Sequence, residues 1–90
     1  MEIRVIKSSN TYMEIEIKGE DHTLGNLVAG YLRRVRGVTF ASYYQPHPLV
    51  DSIILKVMTD GSIEPKEAII NAIEKAKETS AKFDQEIRTI

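Results

Sequence analysis

The 90-residue chain contains no cysteine, which excludes disulfide staples, thiolate zinc sites and a cysteine nucleophile together. It also lacks a basic excess. Twelve Lys and Arg stand against 13 Asp and Glu, for a net charge of −1, whereas domains that live on phosphate contacts carry a clear surplus of cations. No apolar run approaches the ~20 residues that span a bilayer. Met1 leads into a charged, alternating segment without the apolar core of a signal peptide. A chain in the cytoplasm, without membrane attachment, is expected. No Gly-x-Ser-x-Gly occurs, and Gly19, Gly25 and Gly30 are too widely spaced for a phosphate loop. His22 and His47 are the sole histidines and lie far apart, so no metal-ligand spacing exists. Neither cofactor nor metal is expected, and the chain reads as non-catalytic. The one catalytic arrangement left to consider is a hydrolase or isomerase built on His47 with Asp51, which sequence nearness alone does not establish.

What is present is a single domain over residues 1–90, with no linker, repeat or low-complexity tract. A domain this small buries only roughly 60–65% of its unfolded surface, which makes a partner subunit one natural remedy for a marginal core. Ile3 and Val5 share a face in a first strand from Glu2 to Lys7. After the Ser8-Ser9-Asn10 turn, Met13, Ile15 and Ile17 alternate with Tyr12, Glu14, Glu16 and Lys18 as in a half-buried strand. The period then changes. Leu24, Leu27, Val28, Tyr31, Leu32 and Val35 form one helical stripe. Thr23 or Asp21 can cap its start, Arg33, Arg34 and Arg36 suit its negative end, and Gly37 can close it in a left-handed conformation. Val38 to Tyr44 reads as a strand, Pro46 and Pro48 interrupt it, and Val50 to Thr59 resumes with Ile53, Leu55 and Val57 on one face. Pro65 opens a last helix to Arg88, with a stripe of Ile69, Ile73, Ala76, Ser80, Phe83 and Ile87. At 1.5 Å per residue that helix is about 36 Å long, against a diameter of about 31 Å for a compact chain of this size. Its end is expected to overhang and to want a partner. The order is ββαββα, an α+β fold with a four-stranded antiparallel sheet and two helices on one face.

Two features are weighed on chemistry. Arg33, Arg34 and Arg36, with Tyr43 or Tyr44 for stacking, allow a single-stranded nucleic-acid module as the alternative reading. Helix polarity already explains cations there, and consecutive strand tyrosines face opposite ways, so direct nucleic-acid contact is not expected. Gly25 and Gly30 are harder to explain, because each costs about 1 kcal/mol relative to alanine within a helix. Together with Ala29 they leave part of the helix surface nearly bare, open either to the chain's own sheet or to another subunit.

The motif Asp21-His22-Thr23-Leu24-Gly25-Asn26-Leu27, followed by Val38-Thr39-Phe40-Ala41-Ser42-Tyr43 and Pro46-His47-Pro48-Leu49, closely resembles the family of archaeal RNA polymerase subunit L. That family includes the eleventh subunit of eukaryotic RNA polymerase II and is similar to the N-terminal domain of the bacterial alpha subunit. The resemblance runs over essentially the whole chain. It implies an alpha-like dimerisation fold and a non-catalytic role in transcription. An L-type chain pairs with a larger alpha-like chain of the D type, and the pair is an assembly platform for the large catalytic subunits, with small subunits N and P on the side of the larger chain. In bacterial alpha, paired arginines follow the Thr-Leu-Gly-Asn core. Here Leu27-Val28-Ala29-Gly30 follows it, which suits the smaller member of a heterodimer. On this reading Leu24, Leu27, Val28, Tyr31 and Leu32, with Ile69, Ile73, Phe83 and Ile87, are the candidate partner-interface residues. Some of them must hold the chain's own sheet instead.

Overall fold

Alternation in four segments and helical periodicity in two produce the expected order: β1 (Glu2–Ser8), β2 (Tyr12–Lys18), α1 (His22–Leu32), β3 (Val38–Tyr44), β4 (Ser52–Thr59) and α2 (Pro65–Thr89). The computed structural model describes the backbone of residues 2–89 and the side chains of residues 2–78. The sheet runs β1-β2-β4-β3, and every neighbouring pair is antiparallel. Both helices cover the same face. α1 lies over β3 and β4, and α2 lies over β4 and β2. The radius of gyration is 13.5 Å and the extents are 45 × 30 × 17 Å. The molecule is thus a flat two-layer slab, longer than the near-spherical expectation.

Strand register sets the core in layers. Met13 pairs with Val57, which pairs with Ala41; Ile15 pairs with Leu55, which pairs with Tyr43; Ile17 pairs with Ile53. Val28 and Leu32 close these layers from α1, and Ala68, Ile69, Ala72, Ile73 and Ala76 close them from α2. The sequence-derived stripe of α2 omitted Ala68 and Ala72. Alanines carry little hydrophobic signal, but their small side chains let the helix lie close to the sheet.

β1 is different. Its pairing puts Ile3 beside Ile17 and Val5 beside Ile15, on the helix-covered side. Yet Ile3 is 48% exposed and Val5 52% exposed, because the two helices sit over the other three strands. The register shifts between Val5 and Lys7. A bulge and charged neighbours on an edge strand discourage further strand addition.

The ends of α1 settle the capping question. Asp21 is the N-cap, and its carboxylate accepts the Thr23 backbone N–H at 2.9 Å. The helix stops at Leu32, short of the expected Val35. Arg34 N–H donates to Tyr31 O, and Val35 N–H donates to Leu32 O; these tighter i→i+3 bonds end the helix while Val35 still packs on the core. Gly37 does take a positive φ of 99°, but it does so just ahead of β3, where its carbonyl accepts the Asp60 N–H. It therefore turns the chain into the sheet and does not cap the helix. β4 begins at Ser52, two residues later than the alternation suggested, because Val50 and Asp51 close the preceding loop.

The cap makes a pH prediction. The Thr23 backbone N–H holds the Asp21 carboxyl below its ordinary value of 3.8. A carboxylate lowered on folding stabilises the native state above the unfolded pKa and loses that contribution as pH falls through the folded one. Asp21→Asn keeps the acceptor but removes the charge. Thermal melts from pH 6 down to pH 2 should therefore show a shallower acid-dependent loss for the variant. Parallel curves would exclude the cap as an acid-sensitive element.

Candidate partner interface

Helix α1 carries two surfaces because its apolar stripe is wider than a single contact. The sheet takes the middle of that stripe. Val28 and Leu32 have no exposed surface, and on α2 Ile69 and Ile73 are 4% and 8% exposed. These four candidate interface residues therefore hold the chain's own core. Leu24, Leu27 and Tyr31 pack against the rim of the core and remain half-buried, so part of their surface stays exposed. Phe83 and Ile87 lie outside the residues whose side chains the structure describes, as does Ser80.

Two recesses adjoin the half-buried rim. One is a groove of about 610 Å³ between α1 and α2, with Tyr31, Arg34 and Val35 on one wall and Asn71, Glu74 and Lys75 on the other. The second is a notch of about 290 Å³ on α1 and the turn after it, formed by Asn26, Leu27, Gly30 and Tyr31 with Arg34. The first is lined by charged and apolar groups together and is open to solvent. It is not an enclosed substrate site.

The motif residues divide by role. Asp21 caps α1, and Gly25 lies against Tyr43: a Cβ placed on Gly25 would sit 2.5 Å from Cδ2 of that ring. The two motif blocks therefore meet inside the chain, where Gly25 lets α1 approach β3. His22, Thr23 and Asn26 are exposed and border a depression beside Tyr43. Ala41 belongs to the core. Phe40 points the other way and is 47% exposed, next to Met58, its partner on β4, at 44%. Pro46, His47, Pro48 and Leu49 form an exposed loop closed by Val50 N–H to His47 O and by Gln45 Nε2 to Val50 O at 2.9 Å. Leu49 at its tip is 99% exposed.

Several surface features were not anticipated from the sequence. Ile70 is 44% exposed and Val50 is 52% exposed. A signal for Ile70 did exist, since Ile69 and Ile70 are adjacent and one helix face cannot take both. On the uncovered sheet face, Glu16 accepts from Ser52 Oγ at 2.9 Å and pairs with Arg4 at 3.1 Å. The Ser52 hydroxyl, followed by Arg4, lowers the Glu16 carboxyl below its ordinary value. This cluster ties β1, β2 and β4 together and is structural.

The other chemical readings gain no geometry. Arg33, Arg34 and Arg36 are exposed at the end of α1, but Tyr43 is packed on Gly25. Tyr44 lies on the far side of the sheet, with Lys56 Nζ 5.5 Å from its ring centre. The arginine cluster and these two strand tyrosines therefore do not share a surface. His47 and Asp51 both stand exposed on the β3–β4 loop. Among the described residues no cluster of three metal-binding side chains occurs, and no helix there is long and apolar enough to cross a membrane.

Comparison with known proteins agrees with this geometry. A family model described as the RNA polymerase Rpb3/Rpb11 dimerisation domain matches residues 12–86. The DNA-directed RNA polymerase subunit Rpo11 of Saccharolobus solfataricus is 60% identical over 98% of this chain and 96% of that protein. The Rpo11 of Sulfurisphaera tokodaii is 59% identical over 100% of this chain and 97% of its own length, and that of Metallosphaera sedula is 50% identical over the full length of both. The crystal structure of a DNA-directed RNA polymerase subunit L from Thermoplasma acidophilum superposes with a TM-score of 0.75, covering 98% of this chain and 86% of that one. At 24% identity the last comparison speaks for the fold alone. The family match over residues 12–86 and the identity to these polymerase subunits together show that this chain belongs to the RNA polymerase Rpb3/Rpb11 dimerisation domain family.

Proposed function

We propose that the chain is a non-catalytic subunit of an archaeal DNA-directed RNA polymerase, in which it forms a heterodimer with a larger alpha-like chain of the D type. Residues 1–90 act as one alpha-like dimerisation domain in the cytoplasm. The pair supports assembly of the large catalytic subunits, with the small N and P subunits attached on the side of the larger chain. The observation that carries this reading is 60% identity to a polymerase subunit across 98% of the chain. The match of a dimerisation-domain family across residues 12–86, which contain all of α1 and most of α2, supports it. So does the rim of Leu24, Leu27 and Tyr31, which pack against the core yet keep part of their apolar surface exposed. An obligate interface of this type buries roughly 2,000 Å² or more.

The test is affinity purification of the tagged chain from its native extract, with identification of the accompanying proteins by mass spectrometry. A larger alpha-like subunit should come with it in equal amount, together with the two catalytic polymerase subunits. Recovery of the folded chain alone after gentle washing would reduce the family likeness to a likeness of fold.

A further inference from the structure

Strand β1 stands apart from the core that it extends. All seven of its residues are exposed, and among the described residues none of them belongs to the buried cluster or packs against it. The layers built by β2, β4, β3 and the two helices are complete without it. β1 pairs with β2 alone. That ladder is interrupted, because Val5 faces Ile15 and Lys7 faces Glu14, which leaves Ile6 between them without a partner. The ion pair across the ladder, Arg4 Nε to Glu16 Oε1 at 3.1 Å, has its arginine side chain 64% exposed. Solvated pairs of this kind contribute little.

The chain that follows is held differently. Ser9 N–H donates to Tyr12 O at 2.7 Å, and Ser9 Oγ accepts the Tyr12 N–H at 3.1 Å, so the turn is closed by its own residues. Thr59 N–H donates to Thr11 O at 2.8 Å, which fastens the far side of the turn to the end of β4. From Tyr12 to Lys18, β2 follows β4 without a register shift, and Met13, Ile15 and Ile17 are buried. A boundary therefore falls at the turn between β1 and β2, with little apolar burial on one side and the core on the other. Proteins open locally at such boundaries, in units that have few buried contacts.

The two strand edges also differ. The outer edge of β1 is bulged and carries Glu2, Arg4 and Lys7, features that discourage strand addition. The edge of β2 beneath it belongs to a regular strand that alternates apolar and polar residues. With β1 lifted, that edge presents a row of unpaired N–H and C=O groups, the template on which another strand adds.

We infer that β1 is a detachable strap that seals the β2 edge: it opens as one unit about the Ser9–Thr11 turn while the other five elements stay folded. The opened chain is the species that pairs with a second copy through β2. The inference concerns the chain by itself and does not rest on the heterodimer reading.

Native-state hydrogen exchange of the full chain, followed by NMR at rising sub-denaturing urea, tests it. The β1 N–H groups bonded to β2, with every second N–H of β2, should exchange more than ~100-fold faster than those of β4. Their rates should barely respond to urea, because opening β1 exposes little surface, whereas the β4 rates should climb steeply. Arg4→Glu sets a like charge against Glu16, and it should speed the β1 group several-fold while leaving β4 unchanged. Self-association of that variant, read by sedimentation over a range of concentrations, should rise by a similar factor. Equal rates and equal urea dependence in β1 and β4 would overturn the strap, since β1 would then open only with the whole domain. Faster β1 exchange in Arg4→Glu without stronger self-association would overturn its role as a seal.

Discussion

Leu55→Ala is expected to destabilise the chain by about 2–5 kcal/mol, the range for deleting a fully buried leucine and leaving a cavity. Leu55 has no exposed surface and sits in the middle layer of the core, paired with Ile15 on one side and Tyr43 on the other. Both neighbours are held in register by the sheet, so the site cannot collapse easily, which favours the upper part of the range. A 90-residue domain has roughly 5–13 kcal/mol of total stability, so the loss is a large fraction of the whole. Urea unfolding monitored by circular dichroism checks it: the midpoint should fall strongly while the dependence on denaturant concentration stays unchanged. A midpoint within error of wild type would mean that the central layer does not carry the core.

Gly25→Ala sets two effects against each other. Alanine improves helix propensity by about 1 kcal/mol, but its Cβ would lie 2.5 Å from Cδ2 of Tyr43, and overpacking of this kind costs about 1–3 kcal/mol. Tyr43 has little room to withdraw, because its backbone is paired with Leu55 and its ring is packed on the core. The net result should be destabilising. In a Tyr43→Ala background the obstacle is gone, and the same Gly25→Ala change should become stabilising by about 1 kcal/mol. The coupling from the double-mutant cycle should be about 1–3 kcal/mol, within the span seen for residues in direct contact. Additive behaviour would show that α1 does not approach β3 through this glycine.

Gly30, where an added Cβ would meet nothing within 4 Å, contrasts with Gly25 and shows where sequence reasoning reached its limit. Both residues break the same local rule at similar apparent cost. The information that separates them is the position of Tyr43, which lies 18 residues beyond Gly25 in the chain and reaches it only through the packing of α1 on β3. The same holds for the candidate interface. Leu27 and Val28 are adjacent members of one apolar stripe, yet Val28 is fully buried and Leu27 is not. Helical periodicity identifies the stripe but not the rotation of the helix on the sheet. That rotation is a property of two elements together.

Everything carried by local physics was legible in the residues alone. Period-two alternation specified β2 and β4, 3.6-residue periodicity specified α1 and α2, and the prolines and turn residues placed the breaks, so the ββαββα order could be read directly. The motif blocks pointed to a polymerase-subunit family, and the match over residues 12–86 shows the Rpb3/Rpb11 dimerisation domain family. Packing in three dimensions decided the rest: the strand order β1-β2-β4-β3, the exposure of Ile3 and Val5 on an uncovered edge, the end of α1 at Leu32, and the assignment of Gly25 to the chain's own sheet. Side-chain periodicity records which face of an element is apolar. What covers that face depends on contacts between residues distant in sequence, and these exist only once the layers have packed.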